Sequence, residues 1–102
     1  MISQPMAGLT NEQITEAKNK FLNYVEKEGL EEVNTFFKDQ FMQSGAMSER
    51  GVVQIPVAFL AKAIDHMSLC HVIYFAKGWE NARGCKIEHE IATQYGLEIV
   101  YE

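Results

Sequence analysis

Hydrophobic positions along the chain fall into stretches with strand-like and helix-like spacing. Residues 1–3 predict a first strand that starts almost at the first residue. Thr10 followed by Gln13 forms a capping box, which predicts the start of a helix over residues 11–28. Gly29 is a natural helix stop. The apolar stripe of this helix, at helical spacing, contains Ile14, Ala17, Phe21, Leu22 and Val25.

The next part of the chain is less regular. Residues 31–37 contain Val33, Thr35 and Phe37 at alternate positions, and this period of two predicts a second strand. Residues 38–54 show no clean period, so we expect a loop or a short irregular helix over the sheet edge.

The alternation of helix and strand then resumes. The elements predicted there are a helix over residues 56–69, a strand over 70–75, a helix over 84–95 and a strand over 97–101. Pro56 suits the first turn of its helix, and Gly96 ends the last one. Strands separated by helices predict an α/β fold with a parallel sheet.

Composition narrows the class of protein. The 102 residues are 47% hydrophobic, which is typical of one globular domain. Lysine and arginine total 9 against 14 aspartate and glutamate, so a nucleic-acid-binding surface is not expected. No apolar run is long enough for a bilayer, and no signal pattern is visible. We therefore expect a cytoplasmic protein without membrane contact.

The cysteines and histidines give no sign of a metal or cofactor site. Cys70 and Cys85 lack metal-ligand spacing, and two free thiols suit a reducing cytoplasm. No pair of histidines has the i, i+4 spacing of metal-binding helices. The sequence predicts neither a metal nor a cofactor.

The segment GWENARGCKIEHEIA, which starts at Gly78, carries the candidate chemistry. It follows the predicted strand over residues 70–75 and leads into a helix with Glu88 in its predicted first turn. Open α/β sheets place ligands at such a junction. Because the helix dipole favours negative charge there, we expect Glu88 to stay ionised.

Three strings together resemble the nucleoside 2-deoxyribosyltransferase superfamily. They are the opening ISQPMAGLT, the Gly78-Trp79 pair, and the pattern Gly84-x-x-x-Glu88-x-x-x-Ala92-x-x-x-Gly96. The resemblance covers essentially the whole chain and is nearest to a short, mostly uncharacterised branch common in phages and their bacterial hosts. It implies one domain over residues 1–102, with a flavodoxin-like three-layer sandwich and a four-stranded parallel sheet of order 2-1-3-4.

The resemblance also implies a reaction. The glutamate at the position of Glu88 attacks the anomeric carbon of a deoxynucleoside, the base departs, and another base or water then takes the sugar. An ionised carboxylate is what such a two-step displacement requires.

The same resemblance implies a ligand cleft between residues 3–8 and 78–88. Trp79 offers a stacking face for a base, with a hydrophobic lid or subunit contact as the alternative. Asn81 suits a sugar hydroxyl or a helix cap, and Arg83 suits a phosphate. The residues expected to bind the ligand are Ser3, Gln4, Met6, Gly8, Gly78, Trp79, Asn81, Arg83 and Gly84.

The chain departs from the enzymes of this superfamily at several positions. Ala63 stands near a helix aspartate of those enzymes, with Asp65 as the nearest acid. His71 replaces an aspartate, Ala82 replaces a phosphate-binding serine, and the longer enzymes continue beyond the last predicted strand. The functions left open are an N-glycosidase or transferase, a non-catalytic nucleotide-binding module, and a homo-oligomeric interaction module of phage origin. We expect a homodimer or a higher homo-oligomer.

Overall fold

A computed structural model describes residues 1–33 and 51–102. The elements are β1 (Ile2–Ser3), α1 (Asn11–Lys27), α2 (Ile55–Met67), β2 (Val72–Phe75), a 3-10 helix (Trp79–Asn81), α3 (Arg83–Gln94) and β3 (Glu98–Tyr101). Six elements predicted from the sequence are confirmed, with ends within two residues of those expected. The predicted α/β class is therefore confirmed.

The three strands form one parallel sheet in the order β1-β2-β3. In the register, Ile2 pairs with Tyr74 and Ser3 with Phe75, while Phe75 also pairs with Tyr101 on its other side. The carboxyl ends of all three strands therefore lie at one edge of the sheet.

Helices cover both faces of this sheet. On one face, Phe21 of α1 packs with Tyr74 of β2. On the other face, Met67 of α2 and Ala92 of α3 pack with Phe75. No helix in the described part of the chain has the length and apolar content needed to cross a bilayer.

The start of α1 confirms the predicted capping box. The Gln13 backbone N–H donates to the Thr10 hydroxyl oxygen at 3.1 Å. The Thr10 backbone N–H donates to the side-chain oxygen of Gln13 at 2.9 Å. Two of the N–H groups that a helix start leaves unpaired are thus satisfied by local sequence.

The prediction of four strands is wrong for the described residues, which form three. Residues 31–33 of the predicted second strand are in no strand, and residues 34–37 lie outside the described part. Glu32 instead forms an ion pair with Lys18 of α1, so this segment is held to the helix. Most of the predicted loop, residues 38–50, also lies outside the described residues.

Candidate functional site

The candidate site is the region at the carboxyl ends of β1 and β2, between the segments that follow these two strands, and it is called the crevice below. After β1 the chain passes to α1 on one face of the sheet, and after β2 it passes to α3 on the other. Ligands bind in open α/β sheets where successive connections diverge in this way. A Cβ built on Gly78 would lie 3.5 Å from the Pro5 side chain, so the segments after the two strands meet here.

Helix α3 supplies one wall of the crevice and begins without a polar cap. Ala82 occupies the N-cap position with extended dihedrals, φ −106° and ψ 122°, and makes no side-chain capping bond. The predicted cap by Asn81 is therefore not formed. Asn81 belongs to the preceding 3-10 helix, where its N–H donates to the Gly78 carbonyl at 3.0 Å.

Glu88 lies in the second turn of α3, not in the first as predicted. The helix begins at Arg83, and its first turn contains no acidic residue. Since the favourable effect of a helix dipole on an anion fades beyond the first turn, the dipole does little for Glu88.

Burial controls the protonation of Glu88. The residue is only 9% exposed. Loss of hydration raises the pKa of its carboxyl from 4.5 to about 7, although the nearby Ser3 hydroxyl opposes the shift. The prediction that Glu88 stays ionised is therefore wrong, because desolvation outweighs the stabilising groups. At neutral pH the carboxyl is poised between its two protonation states.

Ser3 faces Glu88 from β1. Side chains alternate along a strand, so Ser3 shares its face with Met1, which packs in the core on the α3 side of the sheet. Ser3 is 2% exposed. Its hydroxyl is near enough to lower the pKa of both Glu88 and Cys85, yet the oxygen completes no hydrogen bond within the described residues.

The side-chain oxygen of Gln4 is likewise buried and without a hydrogen-bond partner in residues 1–33 and 51–102. An unsatisfied buried polar atom costs on the order of 1–3 kcal/mol. Two such atoms therefore lie on adjacent residues at the end of β1.

Three glycines lie in the segments that form the crevice. A Cβ built on Gly84 would lie 3.8 Å from Oε2 of Glu88, so a side chain at this position would contact the carboxylate. Gly78 has φ +91°, a left-handed conformation that other residues adopt with strain. Gly8 also has positive φ, +78°, and a Cβ there would meet nothing within 4 Å.

Trp79 lies in an aromatic cluster formed with Phe75, His89 and Tyr101. Its indole stacks on the His89 ring at 4.0 Å between centroids. His89 Nε2 is in turn 2.6 Å from the Tyr101 hydroxyl. The half-buried Trp79 thus has one face engaged by its own chain.

Sequence reasoning missed Phe75 and Tyr101 as partners of Trp79. The signal was present, since each is the aromatic residue at the end of a predicted strand. Parallel pairing sets such residues side by side, as the register of Phe75 with Tyr101 shows.

Apart from Trp79, the predicted ligand residues and Glu88 divide into two groups. The structure brings together Ser3, Gln4, Gly78, Gly84 and Glu88 around the crevice. The exposed residues are Met6, Gly8, Asn81 and Arg83. They are at the surface of the segments that follow β1 and β2.

Among the positions where the chain departs from the deoxyribosyltransferase pattern, Ala82 is the N-cap residue of α3. Ala63 packs against the core, and Asp65 and His71 are exposed. Within the described part of the chain, no three His, Cys, Asp or Glu side chains are grouped in a way that could hold a metal ion.

Comparison with known families adds one assignment. Residues 1–101 match the family described as Domain of unknown function (DUF4406). The chain belongs to this family. The DUF4406 match spans both segments that form the crevice. Neither the curated proteins nor the solved structures contain a match to the chain.

Proposed function

We propose that this protein binds a nucleoside, a nucleotide or a related ribosylated ligand in the crevice between residues 3–8 and 78–88. We further propose that it breaks the N-glycosidic bond of that ligand, with Glu88 as the nucleophile. We also propose that the chain is related to the nucleoside 2-deoxyribosyltransferase superfamily and has its flavodoxin-like sandwich fold. The parallel order β1-β2-β3 supports that kinship, since the predicted sheet places its first, third and fourth strands in this order.

One observation carries the proposal. A buried carboxyl, Glu88, stands beside a buried hydroxyl, Ser3, that has no hydrogen-bond partner in the described residues. Folding gains nothing from this pair, because both groups lose their hydration. A ligand satisfies both groups when it has hydroxyl groups that bond to Ser3 and a carbon that becomes positively charged beside Glu88.

A sugar ring attached to a base fits these requirements. An oxygen of ionised Glu88 bonds to the anomeric carbon as the carbon–nitrogen bond breaks, and the electron pair leaves with the base, which takes up a proton from water. Water or a second base then attacks the same carbon and releases the carboxylate. The positive charge that develops on the sugar favours the ionised form of Glu88.

The pKa of Glu88 predicts the pH dependence of this reaction. With a value of about 7, only part of the protein carries the ionised nucleophile at neutral pH. The rate should rise as the pH increases through about 7 and level off above it.

The test is an incubation of the protein with ribo- and deoxynucleosides and their monophosphates, followed by chromatography for free base. We expect release that disappears in Glu88→Gln. The matched control is Glu90→Gln, the same change on the same helix at an exposed residue. Equal release by the wild type and Glu88→Gln would contradict the proposal.

A non-catalytic binding module is the second candidate. Among the described residues Glu88 is the only buried acid, so the crevice shows no second carboxyl to protonate the departing base. A ligand that raises the melting temperature without releasing base would favour this module. A melting temperature unmoved by every compound would favour the homo-oligomeric interaction module, which sedimentation would then examine.

A further inference from the structure

Strand β3 lies at one edge of the sheet, and its outer side has backbone groups to offer. In the described part of the chain, β3 pairs with β2 alone. The Glu98 N–H donates to the carbonyl of His71, directly before β2, at 3.2 Å. Because backbone groups alternate between the two sides of a strand, the N–H and C=O groups of Ile99 and Tyr101 point away from β2.

This edge lacks the features by which proteins often prevent strand pairing. Lysine, proline and bulges protect many edge strands, and β3, with the sequence EIVY and a continuous register, has none of them. Three of its four residues are β-branched or aromatic, which favours a strand. At the opposite edge of the described sheet, β1 has only two residues, and short strands are poor templates for pairing.

The side chains along β3 present an apolar row on the α3 face of the sheet. Leu97 and Ile99 are half-buried and pack against the core cluster that contains Phe75. The ring of Tyr101 lies 6.2 Å from that of Phe75, yet Tyr101 remains 53% exposed. The core on this face therefore ends at three large apolar side chains that a further strand could cover.

A second copy of this chain fits this edge. Two copies of one strand related by a two-fold axis must run antiparallel. With the axis at Ile99, the two copies of that residue face each other and exchange N–H···O=C bonds. The Tyr101 N–H then meets the Leu97 carbonyl of the second copy. The Leu97 N–H needs no partner there, because it already donates to the Ala92 carbonyl at 2.9 Å.

Side-chain pairing favours this register over its neighbours. The opposing pairs it creates are Ile99 with Ile99, Leu97 with Tyr101, and Glu98 with Val100. An axis at Val100 would instead set Glu98 opposite Glu102, and an axis at Glu98 would set that acid opposite itself. Like charges directly opposite each other destabilise an antiparallel pair.

We propose that this protein forms a symmetric dimer in which β3 of one copy pairs antiparallel with β3 of the other, centred on Ile99. The three described strands of each copy then join into one continuous sheet. The interface requires no ligand, so it stands apart from the glycosidic chemistry proposed above.

Sedimentation equilibrium of the full chain over a range of concentrations tests whether the dimer exists. We expect the mass to rise with concentration from that of one chain toward that of two. A protein that stays monomeric at every concentration would overturn the proposal.

Engineered cysteines test the register. Residues opposite each other at a non-hydrogen-bonded position have Cα atoms about 4.5 Å apart, which suits a disulfide. In the proposed register Glu98 and Val100 of different copies are such a pair. Two copies of either residue are about 8 Å apart, which is too far for a disulfide.

The variants are Glu98→Cys and Val100→Cys, made as separate proteins and oxidised alone or mixed. The mixture should form covalent dimer at least about tenfold faster than either variant alone, because only there do two thiols meet. The wild type, which keeps Cys70 and Cys85, is the control and should form none.

Cross-linking that is no faster in the mixture than in the single variants would also overturn the proposal, because the copies would then meet elsewhere or in another register. Neither experiment uses a nucleoside. A dimer with the expected cross-link and no base release would leave the interface in place and remove only the glycosidic function.

Discussion

Helices α1 and α3 both follow a parallel strand, yet their first turns are built in opposite ways. At α1, Thr10 and Gln13 satisfy each other's backbone N–H groups, and Glu12 adds a favourable charge. At α3, Ala82 offers no cap and the first turn has no acid. The sequence thus follows the rules of local stability at α1 and breaks them at α3, beside a buried carboxyl. Breaches of this kind are expected where a protein binds or reacts.

The largest expected effect is on the free energy of unfolding, and it comes from the burial of Glu88. The folded pKa is about 7 and the ordinary value is 4.5, so folded protein holds the proton more tightly. The contribution of protonated Glu88 to the free energy of unfolding is therefore fully present below about pH 4.5, and it is lost as the pH rises through about 7. Glu88→Gln should remove this loss and raise the free energy of unfolding at pH 8 by up to about 3 kcal/mol.

Urea titrations of the wild type and Glu88→Gln at pH 4, 6 and 8 would measure this difference. The two proteins should nearly coincide at pH 4 and diverge as the pH rises. Glu90→Gln, at an exposed position of the same helix, should follow the wild type throughout. A constant difference at all three pH values would show that burial of the charge is not the cause.

Removal of the α1 cap comes next in size. Thr10→Ala deletes the acceptor of the Gln13 N–H and should lower the free energy of unfolding by about 1 kcal/mol. Thr10→Ser keeps a hydroxyl and is the control. Neither variant should change base release. Thr10 is at the start of α1, whereas the wall of the crevice that carries Glu88 is formed by α3.

Addition of a cap to α3 is the reverse experiment. Ala82 already has the extended dihedrals of an N-cap, so Ala82→Ser should raise the free energy of unfolding by about 0.5–1 kcal/mol. Thermal and urea unfolding would both show this gain. A loss of stability would mean that the first N–H groups of α3 are already satisfied.

The smallest expected effect on stability is that of Gly84→Ala. This variant separates stability from access of a ligand to the Glu88 carboxylate. Gly84 is helical without positive φ, so Gly84→Ala should stabilise α3 by about 0.5 kcal/mol. The added methyl would stand 3.8 Å from Glu88 Oε2, and ligand binding or base release should fall. A variant that gains stability and keeps full ligand binding would show that ligands reach Glu88 from another side.

The first turn of α1 could be predicted because it depends on neighbours in sequence. Thr10, Gln13 and the stripe that includes Phe21 fix the helix start and its buried face without reference to the rest of the fold. The parallel direction of the strands could also be predicted, since helices alternate with them, whereas their order was implied only by the family resemblance.

The protonation of Glu88 could not be predicted in this way. The pattern around it correctly indicated a helix, but the pKa depends on how much water the fold removes. That burial depends on elements distant in sequence, and the neighbouring Ser3 of β1 is more than eighty residues away. Glu88 is the sixth residue of α3, and it is already the fifth in the predicted helix, so a count of 3.6 residues per turn was enough to place it beyond the first turn.

The part of the second predicted strand that the structure describes, residues 31–33, is in no strand for a related reason. The alternation in residues 31–37 indicates which side chains share a face of a strand. It does not reveal contacts with α1 that compete with pairing in the sheet. Glu32 finds Lys18 on α1, and Leu30 closes the helix end through a hydrogen bond to the Val25 carbonyl at 2.9 Å. These contacts hold residues 31–33 out of the sheet.

The stacking of Trp79 on His89 has a practical consequence. The chain contains a single tryptophan, and it rests on the residue that directly follows Glu88. Its ultraviolet emission is therefore a native optical probe of this helix. Ligand entry that shifts α3 by a fraction of an ångström would alter the emission intensity, with no dye attached and no residue replaced.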